Sequence, residues 1–168
     1  MPDQSSRPTD WIEEILAREA NRILRTAIAI TGSKDDAEDI VQEVFLKLYE
    51  KRPAFESQEH ETAWLVRVTV NICKSRLRSP WRKKTVPLLE TWPAKTDAQQ
   101  GLIETVQRLP AKYRAVIHLF YYEGYKTKEI AGITGQKEST VREQLTRARR
   151  LLKDFLDEDE WGREEQKT

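Results

Sequence analysis

The run from Thr140 to Leu152, Thr-Val-Arg-Glu-Gln-Leu-Thr-Arg-Ala-Arg-Arg-Leu-Leu, fits one backbone far better than any other. Val141, Leu145, Ala148 and Leu152 recur at helical spacing, so a helix buries them as a stripe and turns Arg142, Glu143, Thr146, Arg147, Arg149 and Arg150 elsewhere. Just upstream, Glu129-Ile130-Ala131 belongs to a short helix that Gly135 breaks, and Ser139 or Thr140 can accept a hydrogen bond from the amides opening the next helix. The pattern predicts a helix-turn-helix with a basic outer face, suited to a DNA major groove where arginine pairs with guanine edges or phosphates. An ordinary solvated helix explains the arginines alone. It leaves the preceding helix and the glycine break without a purpose.

Charged residues make up 34% of the 168, and there are only 6 glycines, a balance that favours helices over a glycine-punctuated β fold. The expected class is all-α, built as two small helical domains. Pro80, Pro87 and Pro93, with Lys95-Thr96-Asp97-Ala98-Gln99-Gln100-Gly101, interrupt every period and mark a linker of about twenty residues. The expected divisions are a first domain at 10–79, a flexible linker at 80–101, a second domain at 102–156 and an acidic, frayed tail at 157–168.

Asp10 with Glu13 offers a helix start, and Trp11, Ile15, Ile23, Ile28 and Ile30 mark a segment ending near Gly32. Ser33 with Asp36 begins a second helix that buries Ile40, Val41, Val44, Phe45 and Leu48 and is stopped by Pro53. Asp39, Gln42, Glu43 and Leu46 fall partly outside that face. A polar loop over 54–61 leads to a third helix with Trp64, Leu65, Val68, Ile72 and Leu77 inward. In the second domain Leu109-Pro110 separates two helices, and Tyr113, Val116, Ile117, Leu119, Phe120 and Tyr121 are expected in the core.

A net charge of +1 argues against nucleic acid only until its distribution is considered. No acidic residue occurs from Thr62 to Leu89, whereas Arg67, Lys74, Arg76, Arg78, Arg82, Lys83 and Lys84 are all cationic. Asp35, Asp36, Glu38, Asp39 and Glu43 form an acidic patch upstream, so the chain is polarised toward two different partners. Cys73 stands alone, which excludes an internal disulfide and suits a reducing, cytoplasmic compartment. The N-terminus lacks an apolar signal core, and no run approaches the ~18 apolar residues of a membrane span. His60 in a polar loop and His118 in an apolar helix do not join the carboxylates. With no phosphate-cradling glycine loop or HExxH arrangement either, no catalytic role, metal or cofactor is expected.

Taken together, these residues resemble the bacterial RNA polymerase sigma factors of the sigma-70 family, in the small two-domain extracytoplasmic-function (ECF, group 4) branch. The resemblance runs from about Trp11 to Phe155 and is carried by 36–46, Trp64-Leu65 with Asn71, Leu109-Pro110, Glu129-Ile130-Ala131, and Thr140-Val141 leading to Arg147-Ala148-Arg149. It implies a protein that binds core RNA polymerase and directs promoter-specific initiation. Asp39, Gln42, Glu43 and Leu46 would dock on the clamp helices of the β′ subunit. Phe55 and Asn71 would hold a flipped −10 base, with Arg67, Lys74, Arg76 and Arg78 on the strand's phosphates, although Phe55 equally fits a buried loop anchor. Ser139, Thr140, Arg142, Glu143, Thr146, Arg147 and Arg149 would meet the −35 element, while other surfaces of that domain meet the β flap. An anti-sigma protein is the further partner implied, without stable membrane insertion. Ser139 and Glu143-Gln144 depart from the commonest family pattern, so the resemblance does not carry over a promoter sequence. A helix-turn-helix regulator acting apart from polymerase is the alternative, and it leaves the acidic and basic helices unexplained.

Overall fold

In the computed structural model, which describes residues 9–79 and 97–166, most helix boundaries of the first half fall on residues suited to them, the exception being Arg52, which ends the second helix at a left-handed φ of 43°. Helix α1 (Asp10–Thr31) stops at Gly32, whose φ of 70° is left-handed and whose N–H reaches the Ile28 carbonyl. The left-handed φ strains any side chain here, and a Cβ would stand 2.9 Å from Gln107 Oε1, which would have to swing aside. The Ser33 hydroxyl oxygen accepts from the Asp36 N–H at 3.2 Å and opens α2 (Lys34–Lys51). Ser57 does the same for α3 (Gln58–Arg78), accepting from the His60 N–H at 3.1 Å.

The second half contains α4 (Asp97–Gln107), α5 (Ala111–Ile117), α6 (Thr127–Thr134) and α7 (Glu138–Gln166), with Leu109-Pro110 between α4 and α5. Gly135, again at φ 70°, separates α6 from α7 as the helix-turn-helix reading requires. Residues 58–61, expected in the polar loop, already form the first turn of α3, and four further expectations change in the second half. Residues 97–101, assigned to the linker, already belong to α4, while 80–96, including Arg82, Lys83 and Lys84, lie outside the described residues. The Val141 N–H bonds the Lys137 carbonyl at 3.1 Å, so α7 starts at Glu138, two or three residues earlier, and Ser139 and Thr140 sit within its first turn instead of capping it. The acidic tail is not frayed from 157: α7 continues to Gln166, tethered where Arg108 meets Glu158 at 3.1 Å and Asp159 at 3.5 Å.

The fourth change concerns Tyr121, expected in the core but 58% exposed. α5 runs straight into a π-helical turn over His118–Tyr122, and the extra residue in that turn breaks the 3.6-residue register. Leu119 stays fully buried, Phe120 becomes half-buried, and Tyr121 and Tyr122 swing outward. His118 is carried inward instead, to 6% exposure.

The largest finding is tertiary. Ile23, Ile30, Ile40, Val44, Leu48, Leu65 and Val70 of the first half share one continuous hydrophobic cluster with Leu109, Val116, Leu119, Ile130 and Leu145 of the second. Arg114 of α5 donates to the last-turn carbonyls of α1, reaching Ala29 at 3.1 Å and also Ile30. A helix end has unpaired carbonyls and partial negative charge there, so a guanidinium is a fitting lid. Gln107 adds a second donor to the Ala29 carbonyl at 3.3 Å.

Candidate nucleic-acid interface

On α7 the buried stripe is Val141, Leu145 and Ala148, with Leu152 half-buried, and the opposite face carries Ser139, Arg142, Glu143, Thr146, Arg147 and Arg150, all exposed. Arg149 is exposed beside them, and its Nε donates to the Tyr121 hydroxyl at 2.6 Å. Thr140 is half-buried on the flank. Two of the arginines are held by carboxylates one turn away: Arg142 by Glu138 at 2.7 Å and Arg147 by Glu143 at 2.6 Å. Exposed i,i+4 pairs contribute only about 0.3–0.5 kcal/mol, so a phosphate or base edge can displace them. Glu138 also accepts from the Thr127 hydroxyl at 3.0 Å, tying the start of α7 to the start of α6. The sequence reading missed Glu138 and Tyr121 as the groups that aim these arginines; the i,i+4 spacing could have revealed Glu138, but nothing local signals Tyr121.

A second basic face lies on α3. Arg67, Asn71, Lys74 and Arg78 follow one another at four, three and four residues, which aligns them on one side of the helix. Arg67, Asn71 and Arg78 are exposed. Lys74 is not free: its ammonium donates to the Thr134 carbonyl at the end of α6 at 2.8 Å, and burial together with the charge of Arg78 lowers its pKa. Phe55 sits at the head of this face, half-buried, edge-on to Trp64 at 5.8 Å and to His60 at 5.6 Å between ring centroids. Trp64 is half-buried against the core, as a structural residue would be.

Arg76 stands apart from that face. It is nine residues from Arg67, about two and a half turns, and so projects from the other side of α3. There it meets α2, with Glu43 Oε2 at 3.2 Å and Asp39 Oδ2 at 3.8 Å. Asp39 and Gln42 are exposed, Glu43 is partly exposed, and Leu46 is 55% exposed, an apolar group left in water at the end of an acidic stripe. Acidic groups on a helix face suit a basic protein surface and repel DNA. Cys73, in the core beneath, has its thiol pushed up to about 12 by burial, which makes it inert.

Where α1 meets the π turn, a polar network crosses between the halves. Arg22 donates to Glu123 at 2.7 Å and to Glu19 at 2.9 Å, and Glu19 accepts from the Thr62 hydroxyl at 2.8 Å. His118 Nε2 lies 3.3 Å from both Glu123 Oε1 and Thr26 Oγ1; the Thr26 hydrogen goes to the Arg22 carbonyl, so its oxygen accepts. Burial pushes the Glu123 carboxyl up, but His118 and Arg22 outweigh it and hold it below the usual carboxylate value. Among the described residues no cluster of three or more His, Cys, Asp or Glu is arranged to hold a metal ion, and no helix is long and apolar enough to cross a membrane.

Residues 15–83 match the family described as Sigma-70 region 2, and residues 99–152 match Sigma-70, region 4. The ECF RNA polymerase sigma factor SigL of Mycobacterium tuberculosis is 30% identical over 145 residues, covering 80% of this chain and 82% of SigL. The ECF RNA polymerase sigma factor SigE of Mycolicibacterium smegmatis is 30% identical over 167 residues, or 92% of this chain; the chain spans 64% of the length of SigE. In fold, the chain is similar to the sigma factor RpoE of Bartonella quintana in its complex with the anti-sigma factor NepR, with a TM-score of 0.70 and 24% identity over 89% of this chain and 98% of that one.

Proposed function

Because the chain belongs to the ECF branch of the sigma-70 family of RNA polymerase sigma factors, we propose that it binds core RNA polymerase and directs initiation at promoters carrying −35 and −10 elements. The observation that carries this reading is the presence, on one chain, of one acidic and two basic helix faces. The α2 stripe of Asp39, Gln42, Glu43 and Leu46 docks on the β′ clamp helices. The α3 face of Arg67, Asn71, Lys74 and Arg78, with Phe55 at its head, takes the opened −10 strand, and the α7 face reads the −35 duplex while its domain meets the β flap. A regulator acting without polymerase has no use for the α2 stripe.

The closed packing supports a second element of the reading. Lys74 ties α3 to the end of α6 through the Thr134 carbonyl, so a phosphate that draws its ammonium away weakens a contact between the halves and favours their parting when the promoter is engaged. An anti-sigma protein that favours the closed arrangement would keep the chain inactive, and such a partner is part of the proposal. Non-catalytic action in the cytoplasm completes it.

The test combines co-elution of the full chain with bacterial core enzyme and run-off transcription from duplex and pre-melted promoters. Phe55→Ala and Asn71→Ala should bind core normally yet open duplex promoter poorly, because stacking gives about 1–3 kcal/mol per base only after the strand has opened. A pre-melted template should restore most of their activity. Absence of any complex between wild-type protein and core from a related bacterium would end the sigma reading.

A further inference from the structure

We infer that Arg76 is a positioning residue for polymerase docking, acting through Asp39 and Glu43, and not a contact to the −10 strand. The inference rests on the proposal that the α2 stripe is the docking surface. Arg76 is on α3, but its guanidinium faces α2, with Glu43 at 3.2 Å and Asp39 at 3.8 Å. The DNA-facing residues of α3, Arg67, Asn71, Lys74 and Arg78, point from the other side of the helix.

Asp39 and Glu43 are four residues apart on α2, so their charges repel within one helical turn. One guanidinium between them offsets that repulsion, hydrogen-bonding Glu43 and holding Asp39 by charge at 3.8 Å, and so narrows the rotamers that both carboxylates sample. Its planar fork of five donors can serve two acceptors at once, which a lysine ammonium does less well. The contacts use one oxygen of each carboxylate, Oδ2 and Oε2, and an ionised carboxylate offers about four acceptor sites. A cation of the partner can therefore join the pair without expelling Arg76. Fixing the carboxylates before encounter lowers the ordering cost of binding, so Arg76 strengthens docking without touching the partner.

The test measures the affinity of labelled full-length protein for core polymerase in Arg76→Ala, Arg76→Lys, Asp39→Asn/Glu43→Gln and the combined variants. Arg76→Ala should weaken core binding about three- to tenfold, with Arg76→Lys intermediate. In the Asp39→Asn/Glu43→Gln background, Arg76→Ala should change nothing further, because the groups it acts through are gone. A further loss in that background would make Arg76 a general brace between α2 and α3 and overturn the inference, as would undiminished binding by Arg76→Ala.

The second arm uses holoenzyme saturated with each variant on a pre-melted −10 promoter. Arg76→Ala should keep wild-type affinity and wild-type salt dependence. A fall of about 0.7 in the salt slope, the signature of one lost single-strand phosphate, would return Arg76 to the DNA and also overturn the assignment. Failure of the wild-type chain to bind core at all would instead bring down the sigma reading itself, which separates the two failures.

Discussion

The exposed basic face of α7 and the seam between α1 and the π turn both depend on arginine–carboxylate pairs, yet the pairs differ in reach. On α7 the partners are four residues apart on the same helix, Arg142 with Glu138 and Arg147 with Glu143, and each arginine is mostly exposed. At the seam Arg22 meets Glu123 across 101 residues, and the carboxylates at its two ends, Glu19 and Glu123, are almost wholly buried. A local exposed pair adds little to stability and yields readily to a ligand. A long-range pair with buried carboxylates is costly to leave half-made, because a desolvated charge remains. Arginine is thus left readily exchangeable in one region, as the proposed −35 contact requires, and holds the halves together in the other.

The sharpest challenge to that contrast is Arg22→Ala. It leaves Glu19 to Thr62 and Arg18 and Glu123 to His118 alone, so with Arg22 itself partly exposed it should destabilise the chain by about 1–3 kcal/mol, lowering the thermal midpoint by roughly 2–12 °C. Calorimetry showing a change under a degree would reduce the seam to an ordinary surface pair. On α7 the expectation reverses. Arg142→Ala and Arg147→Ala should each cost about 1–3 kcal/mol of −35 discrimination, with thermal midpoints close to wild type. Preserved discrimination among −35 variants in holoenzyme carrying either substitution would remove base reading from these arginines.

Gly32→Ala probes the seam through backbone conformation and not through charge. The left-handed φ of 70° costs an alanine roughly 1–2 kcal/mol, and its Cβ would press on Gln107, which bonds the Ala29 carbonyl from the other half. A loss of roughly 2–8 °C is expected, and an unchanged midpoint would mean that α1 can end elsewhere. The smallest effect is a change of shape with pH. The folded Glu123 carboxyl titrates below its unfolded value, so its stabilisation is present above that value and is lost as pH falls through the folded one. Glu123→Gln should lower the midpoint at neutral pH and flatten its decline below about pH 4.5. Parallel curves for wild type and variant would show that another group governs the acid limb.

Much of the local structure could be read from the chain. Gly32 and Gly135 stop helices because a left-handed residue ends them most easily, and Ser33 starts one because its hydroxyl satisfies an exposed amide. Such signals act within four residues. They fail where a helix departs from 3.6 residues per turn, which is why Tyr121 and Tyr122 emerge where regular periodicity places Tyr121 in the core. They also fail where a helix opens on a residue that is no capping type, as at Lys137, while the better candidates Ser139 and Thr140 lie inside the first turn.

The sequence by itself determined the helices, their order and the three charged faces, because hydrophobic spacing and turn chemistry are short-range. Only the tertiary structure decided which cation goes with which partner. Arg67, Lys74, Arg76 and Arg78 look alike along the chain, yet Arg67 remains exposed, Lys74 bonds a carbonyl of α6, Arg76 meets the carboxylates of α2, and Arg78 turns back on its own helix. The single core shared by both halves has the same origin. Burial and ion pairing depend on distances in space, and residues as far apart as Arg22 and Glu123 become neighbours only when the helices pack.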